Sequence, residues 1–217
     1  MKNEFGFFKK FFSNSVNKKD KLIITIDREH GSGGFEIASI IGKRLNIPVY
    51  DEDVIELKML ESSINPENIK KDDSFLQGTI QDLYRENYSY SQEDITNIDA
   101  SFLANSKTIR DLAKQGSCIL LGKCANYVLK GHEKTFDVFI CADREYKIKR
   151  LMRVNKVDEE KAISHMKKKD NRRKNHYNKF SGGNWGCANE YDLCINSSSI
   201  DNEFIADLII KTSTKKE

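Results

Sequence analysis

The stretch Ile24 to Leu45, ITIDREHGSGGFEIASIIGKRL, puts Gly31, Ser32, Gly33 and Gly34 directly after an apolar run and directly before a helical pattern. Glycines let backbone N–H groups turn toward an anion and approach it closely, and a helix start adds its positive dipole end. Neither contribution needs the lysine and following hydroxyl of the pattern G-x-x-x-x-G-K-S/T, and this chain lacks both. Arg28, just before the loop, can supply a guanidinium instead, and His30 a further donor. Ser32 is the one hydroxyl inside the loop. Glu36 stands where a magnesium-binding Ser or Thr is usual, and a carboxylate also holds Mg²⁺. Ser32 and Glu36 are therefore the candidate metal ligands. Taken alone, the loop fits a phosphate cradle and a plain strand–helix turn equally well.

Two further basic features carry potential chemistry. In KKKDNRRKNHYNKF, residues Lys169, Arg172, Arg173 and His176 recur at helical spacing and share one face. Arginine forks suit phosphate oxygens, although a basic face is more often simply solvated, and a nucleic-acid-binding helix is another use. Lys123, in LLGKCANY, follows an apolar run and a glycine.

Those residues need a frame. Apolar runs at Leu22–Asp27, Ile47–Asp51, Ser117–Gly122, Thr135–Ala142 and Tyr191–Ser198 read as five strands. Helical patterns fall after the glycine loop and over Ser101–Lys114, Arg144–Arg153, Asp158–Lys179 and about Asp201–Lys211. Alternation of this kind predicts a parallel sheet covered by helices on both faces. Ligands of such sheets bind beyond the carboxyl ends of the strands, where the glycine loop and Lys123 both fall. The polar segment Glu61–Ile98 breaks the rhythm and reads as a helical insertion outside the sheet.

Composition narrows the class. With 217 residues, 36 Lys and Arg against 33 Asp and Glu leave a net charge of +3, which argues against a wholly basic nucleic-acid binder. Five cysteines without a C-x-x-C pair fit a reducing cytoplasm, with Cys118, Cys141 and Cys194 expected as small buried hydrophobes. No apolar run is long enough to span a membrane. Residues 1–20, with Phe5, Phe7, Phe8, Phe11 and Phe12 among lysines, read as an arm preceding one domain over 21–217.

Four blocks, in order, resemble the cytidylate kinase-like family, a branch of the P-loop nucleoside monophosphate kinases. They are ITIDREHGSGGFEIASIIGKRLNIPVYDEDVI, GSCILLGKCANYVL, VFICADREYKIKRLM and DNRRKNHYNKFSGGNWGCANEYDLCINSS. The family's loop pattern, R-E-x-G-S-G-G-R-E, is matched by Arg28, Glu29, Gly31, Ser32, Gly33, Gly34 and Glu36, so its members already lack the usual lysine. Phe35 stands in place of the family's second arginine. Lys123 and Lys147 likewise replace arginines, while Arg150 is kept.

The resemblance implies a P-loop NTPase-type three-layer α/β sandwich with a five-stranded parallel sheet, the insertion covering an acceptor and residues 158–190 forming a lid. It implies ATP- and Mg²⁺-dependent phosphoryl transfer to a nucleoside monophosphate such as CMP or dCMP. Arg28, Arg172 and Arg173 would be catalytic. Gly31, Ser32, Gly33, Gly34, Phe35 and Arg150 would bind donor phosphates, Lys123 the acceptor phosphate, and Asp51 the acceptor or a magnesium-bound water. Phe35 also raises a second expectation, a nucleotide-binding regulatory protein with little catalysis. Small-molecule nucleotides are the expected partners, nucleic acid is not, and a homo-oligomer is left open.

Overall fold

The computed structural model describes residues 21–62, 92–131 and 135–215. The expected arm, and residues 63–91 of the expected insertion, lie outside the described residues. Five strands form one parallel sheet: β1 (Ile23–Arg28), β2 (Val49–Tyr50), β3 (Cys118–Leu121), β4 (Thr135–Cys141) and β5 (Leu193–Asn196), in the order β2-β3-β1-β4-β5. β1 is central. It pairs with β3 from Ile23↔Cys118 to Ile26↔Leu121, and with β4 from Ile23↔Thr135 to Arg28↔Ile140.

All six residues of β1 are buried, because helices cover both faces. On one face Ile24 and Ile26 pack with Ile37 and Ile41 of α1 (Gly34–Leu45) and with Ile205 and Ile209 of α7 (Asn202–Ser213). On the other, Ile23 and Leu120 pack with Phe102, Ile109 and Leu112 of α3 (Gln92–Gln115) and Val128 of α4 (Ala125–Val128). Alternating inward positions of one strand thus serve opposite faces, and the strand reads as a continuous apolar run. Each such fully buried Ile stabilises by about 1.5–3 kcal/mol, so two cores fix β1 and the residues at its carboxyl end.

Three further helices frame the site: α2 (Glu52–Glu61), α5 (Arg144–Asn155) and α6 (Glu159–Ser181). α5 and α6 share a small core of their own, Ile148, Leu151, Ala162 and Met166. At its far end α6 buries Tyr177 and Phe180 in the core between the sheet and α3, with Phe180 stacked on Phe102 at 4.1 Å between ring centroids. The expected lid helix is therefore anchored at both ends and polar in between.

The cysteine expectation holds for Cys118, while Cys141 is only half-buried and Cys194 is exposed. For Cys194 the physical reason is position: β5 is an edge strand, and its alternate residues face outward, while Cys141 is the last residue of β4.

Candidate functional site: a glycine turn and a three-arginine junction

Beyond Arg28 the chain turns through Glu29–Gly33 into α1. Gly31 and Gly33 have φ of 95° and 85°, conformations that L side chains rarely adopt. Ser32 is fully buried. Its Oγ donates to the Glu29 carbonyl at 2.9 Å, its N–H donates to the same carbonyl at 3.3 Å, and its own carbonyl accepts from Ser197 Oγ at 2.7 Å. The Ser32 hydroxyl and amide thus brace the turn from inside.

The start of α1 is left open. Asp51, Asp158 and Asp201 cap α2, α6 and α7 by accepting from Val54, Lys161 and Glu203 N–H groups at 2.8–2.9 Å. Gly33 offers α1 no side-chain cap. The N–H groups of Gly34, Phe35 and Glu36 have no intrahelical carbonyl to meet, which leaves a dipole end for an anion. They border a cleft of about 740 Å³ that Arg28, His30, Arg150, Lys169 and Arg173 also line. A side chain at Gly34 does not fit, since its Cβ would lie 2.8 Å from Arg28 Cβ. The turn is built around the stem of Arg28.

Glu52, the first residue of α2, gathers three arginines. Its Oε1 accepts from Arg28 Nη1 at 2.7 Å and Arg173 Nε at 3.0 Å, and its Oε2 from Arg172 Nη2 at 3.0 Å. Arg173 also donates to the Arg28 carbonyl at 3.1 Å. Burial alone would raise the Glu52 pKa, but Arg28 and Arg173 outweigh it and bring the carboxyl down to about 2. One negative charge against three positive ones leaves the junction cationic, as a site for phosphate requires.

On the other side of this junction lies a cleft of about 670 Å³ lined by Asp27, Glu52, Glu56, Lys123, His176 and Trp185, among others. Gly122, Lys123 and Cys124 have φ of 75°, 54° and 57° in succession, a costly turn for two non-glycine residues. A Cβ at Gly122 would meet Arg28 Nη1 at 2.5 Å. Lys123 Nζ pairs with Glu56 Oε2 at 3.2 Å.

Asp27 accepts from the Tyr191 hydroxyl at 3.0 Å, and burial lifts its pKa to about 6 against the pull of Arg28. Burial lowers His176 to about 4, so the imidazole is neutral near pH 7. Its ring packs edge-on against Phe102 and Phe180.

A second polar layer ties the turn to α5 and α6. Lys147 Nζ lies 2.9 Å from Glu29 and 3.8 Å from Asp170, and the His30 N–H donates to Asp170 at 2.6 Å. Arg150 pairs with Glu36 at 2.5 Å, with its guanidinium carbon 3.6 Å from where a Cβ on Gly33 would stand. Phe35 is half exposed at the rim of the first cleft, which Leu151 and the exposed Val154 also line.

The structure thus brings Arg28, Arg172 and Arg173 together, sets Gly31, Gly33, Gly34, Phe35, Glu36 and Arg150 around one cleft, and places Lys123 in the other. Asp51 lines the first cleft as a helix cap. Two residues with central positions were not singled out from the sequence, Asp27 and Glu52. Asp27 ends the ITID run, and Glu52 is the middle of the acidic triplet Asp51–Asp53. Both are polar groups at a strand's carboxyl end, the signal that led to the glycine turn.

The donor set for Mg²⁺ is sparse. Among the described residues no three His, Cys, Asp or Glu side chains are grouped to hold a metal ion. Ser32 Oγ is committed inward, and Glu36 is paired with Arg150. That fits Mg²⁺ held mainly by phosphate oxygens and water, its usual mode with nucleotides. Among the described residues no helix is long and apolar enough to cross a membrane.

The fold has counterparts among solved structures. A protein from Eubacterium ventriosum ATCC 27560, described as uncharacterized, is 28% identical and superposes with a TM-score of 0.68, over 90% of this chain and all of that one. TT1252 from Thermus thermophilus is 15% identical with a TM-score of 0.51, over 92% of this chain and all of that one. Shikimate kinase from Acinetobacter baumannii is 12% identical with a TM-score of 0.49, over 93% and 98% of the two chains. No curated protein sequence matches. The α/β fold with its five-stranded all-parallel sheet is shared with the proteins from Eubacterium ventriosum and Thermus thermophilus. The model of the cytidylate kinase-like family matches residues 23–199, and the chain belongs to that family.

Proposed function

We propose that the protein transfers a phosphoryl group from Mg²⁺-ATP to a nucleoside monophosphate, with CMP and dCMP the first acceptors to test. One observation carries this: Arg28 from the sheet and Arg172 and Arg173 from α6 converge between two clefts, beside an uncapped glycine turn. Phosphoryl transfer asks a protein mainly for positioning and charge neutralisation, with little covalent work. The glycine-turn N–H groups, Arg150 and Lys169 would hold donor phosphates, and Lys123 the acceptor. The three arginines would neutralise charge on the group in transit. When bound, Mg²⁺ supplies further neutralisation of phosphate oxygens, with Glu36 as its candidate protein ligand and Asp51 a candidate for its water.

A second reading has its own support. The arginines already bind Glu52, and Lys123 already binds Glu56. A nucleotide-binding regulator with weak turnover would tolerate that pairing. The test is to incubate purified full-length protein with ATP, Mg²⁺ and each common nucleoside monophosphate, reading ADP formation and, in parallel, binding heats. Acceptor-dependent ADP supports the kinase. Binding without turnover supports the regulator, and the absence of both removes each.

A further inference from the structure

Asp27 is a buried carboxylate of the Lys123 cleft with no part in the charge pairing of the junction. It ends β1 one residue before Arg28, so its position is fixed by the central strand and both cores. It lines the acceptor-side cleft, and Arg173 lines both clefts, which puts Asp27 at the seam where an acceptor oxygen must meet the donor's terminal phosphate.

Its neighbours set it apart from the other acids. Glu52 is held by three arginines and Glu56 by Lys123. Among the described residues, Asp27 accepts a side-chain hydrogen bond from a neutral phenol, Tyr191, whose ring stacks at 6.3 Å on that of Tyr177, and Tyr177 accepts from Asn126 at 2.9 Å. Tyr191 holds one carboxylate oxygen, Oδ2.

We propose that Asp27 is the proton acceptor for the attacking oxygen of the phosphoryl acceptor, which therefore enters bearing a proton, as an alcohol or a phosphate monoanion. This rests on the phosphoryl-transfer reading above. Asp27 takes the proton as the acceptor oxygen bonds to the terminal phosphorus of the donor. The bond from that phosphorus to the bridging oxygen breaks, its electron pair leaves on the nucleoside diphosphate, and Asp27 then releases the proton to solvent. A base is most effective when its pKa lies near the working pH. Burial places Asp27 near 6, where an ordinary aspartate would be a far weaker base.

The charged and titratable groups facing it are Arg28 on its own strand, Glu52 on α2, Arg173 and Tyr177 on α6, and Tyr191 before β5. Cys124, on the turn beyond β3, is also near, and burial raises its thiol far above the range in question. Glu52 stays ionised between pH 5 and 8. Asp27 is then the group among these that changes charge in that window.

The test measures kcat for wild type and Asp27→Asn with Mg²⁺-ATP from pH 5 to 8. One arm uses the common nucleoside monophosphates, and the other uses the matching nucleosides, which carry the hydroxyl without the phosphate. Asparagine keeps an oxygen for Tyr191 and loses the basicity. The ratio of wild-type to variant kcat should rise about tenfold, from about 10 at pH 5 to about 10² at pH 7.5, and taking the ratio cancels the titration of the acceptor itself. KM should move much less. A ratio constant with pH, or an undiminished variant, overturns the role of Asp27 while leaving the kinase reading intact. No transfer by wild type to either acceptor class overturns both. If melting shows Asp27→Asn unfolded, Asp27→Glu carries the test: a slower enzyme with a displaced pH midpoint supports the proposal, and an unchanged profile overturns it.

Discussion

Glu52 Oε1 and Arg28 Nη1 lie 2.7 Å apart, and this pair joins the first residue of a helix to the last residue of the central strand. Both side chains are largely buried, at 16% and 10% exposed. Removing the acid leaves Arg28 and Arg173 without their carboxylate, so Glu52→Ala should cost about 3–5 kcal/mol, as for other broken buried pairs. Asp51→Ala, one residue earlier, removes a helix cap and should cost about 1 kcal/mol. Equal melting temperatures for the two variants would show that Glu52 is not the keystone of the junction.

The same carboxylate and Asp27 should respond to pH in opposite directions. The Glu52 pKa falls on folding from 4.5 to about 2. Its contribution, about 3 kcal/mol, is present above pH 4.5 and lost as pH drops toward 2. The Asp27 pKa rises from 3.8 to about 6, so its contribution favours the fold below pH 3.8 and is lost as pH climbs through 6. Asp27→Asn should therefore stabilise the protein at pH 7.5, by up to about 3 kcal/mol, and much less at pH 4.5. Thermal melts at the two pH values check this, and a gain that does not grow with pH contradicts the burial of an ionised Asp27.

Arg172 and Arg173 are adjacent but should behave differently when removed. Arg173 is 13% exposed and donates to both Glu52 and the Arg28 carbonyl. Arg172 is 65% exposed and makes one ion pair. Arg172→Ala should change stability by no more than about 1 kcal/mol. Arg173→Ala should cost about 1.5–3 kcal/mol. If both neutralise the transition state, each should lower kcat by about 10²-fold. Full activity in the double variant would remove them from the reaction.

Phe35 offers the reverse experiment, a gain. Its ring is 53% exposed, so Phe35→Arg should alter stability by about 0.5 kcal/mol or less. A guanidinium at the first turn of α1 would lie beside the donor phosphates. One charge-assisted bond, about 1.5–3 kcal/mol, corresponds to roughly tenfold or more in rate when it forms in the transition state. Single-turnover rates on wild type and variant decide the matter. Unchanged rates would mean that Arg28 and Arg150 already meet the need.

How much of this was legible in the chain differs by element. The strands and helices were readable because each carries a period, and Asp158 is a residue type that caps a helix start. The glycine turn and the paired arginines were readable as types and spacings. Glu52 was hidden because its partners lie 24, 120 and 121 residues away, and no local pattern encodes that convergence. Asp27 was hidden because its chemistry comes from burial, which depends on both cores closing over β1. Cys194 was misplaced because an edge strand and a central strand can share an apolar run.

The small core between α5 and α6 has a mechanical consequence. Ile148, Leu151, Ala162 and Met166 bind the two helices into one hairpin. That hairpin carries Lys147, Arg150, Lys169, Arg172 and Arg173. Its ties to the glycine turn are largely polar, through Glu29, Glu36, Glu52 and Asp170, whereas the Tyr177–Phe180 end is rooted in the main core. Displacement of the hairpin would swing about that root like a lever and withdraw five cations in one stroke. Salt screening weakens polar ties and leaves apolar ones intact, so amides of the Glu29–Gly34 turn should exchange faster with rising ionic strength while those of β1 do not.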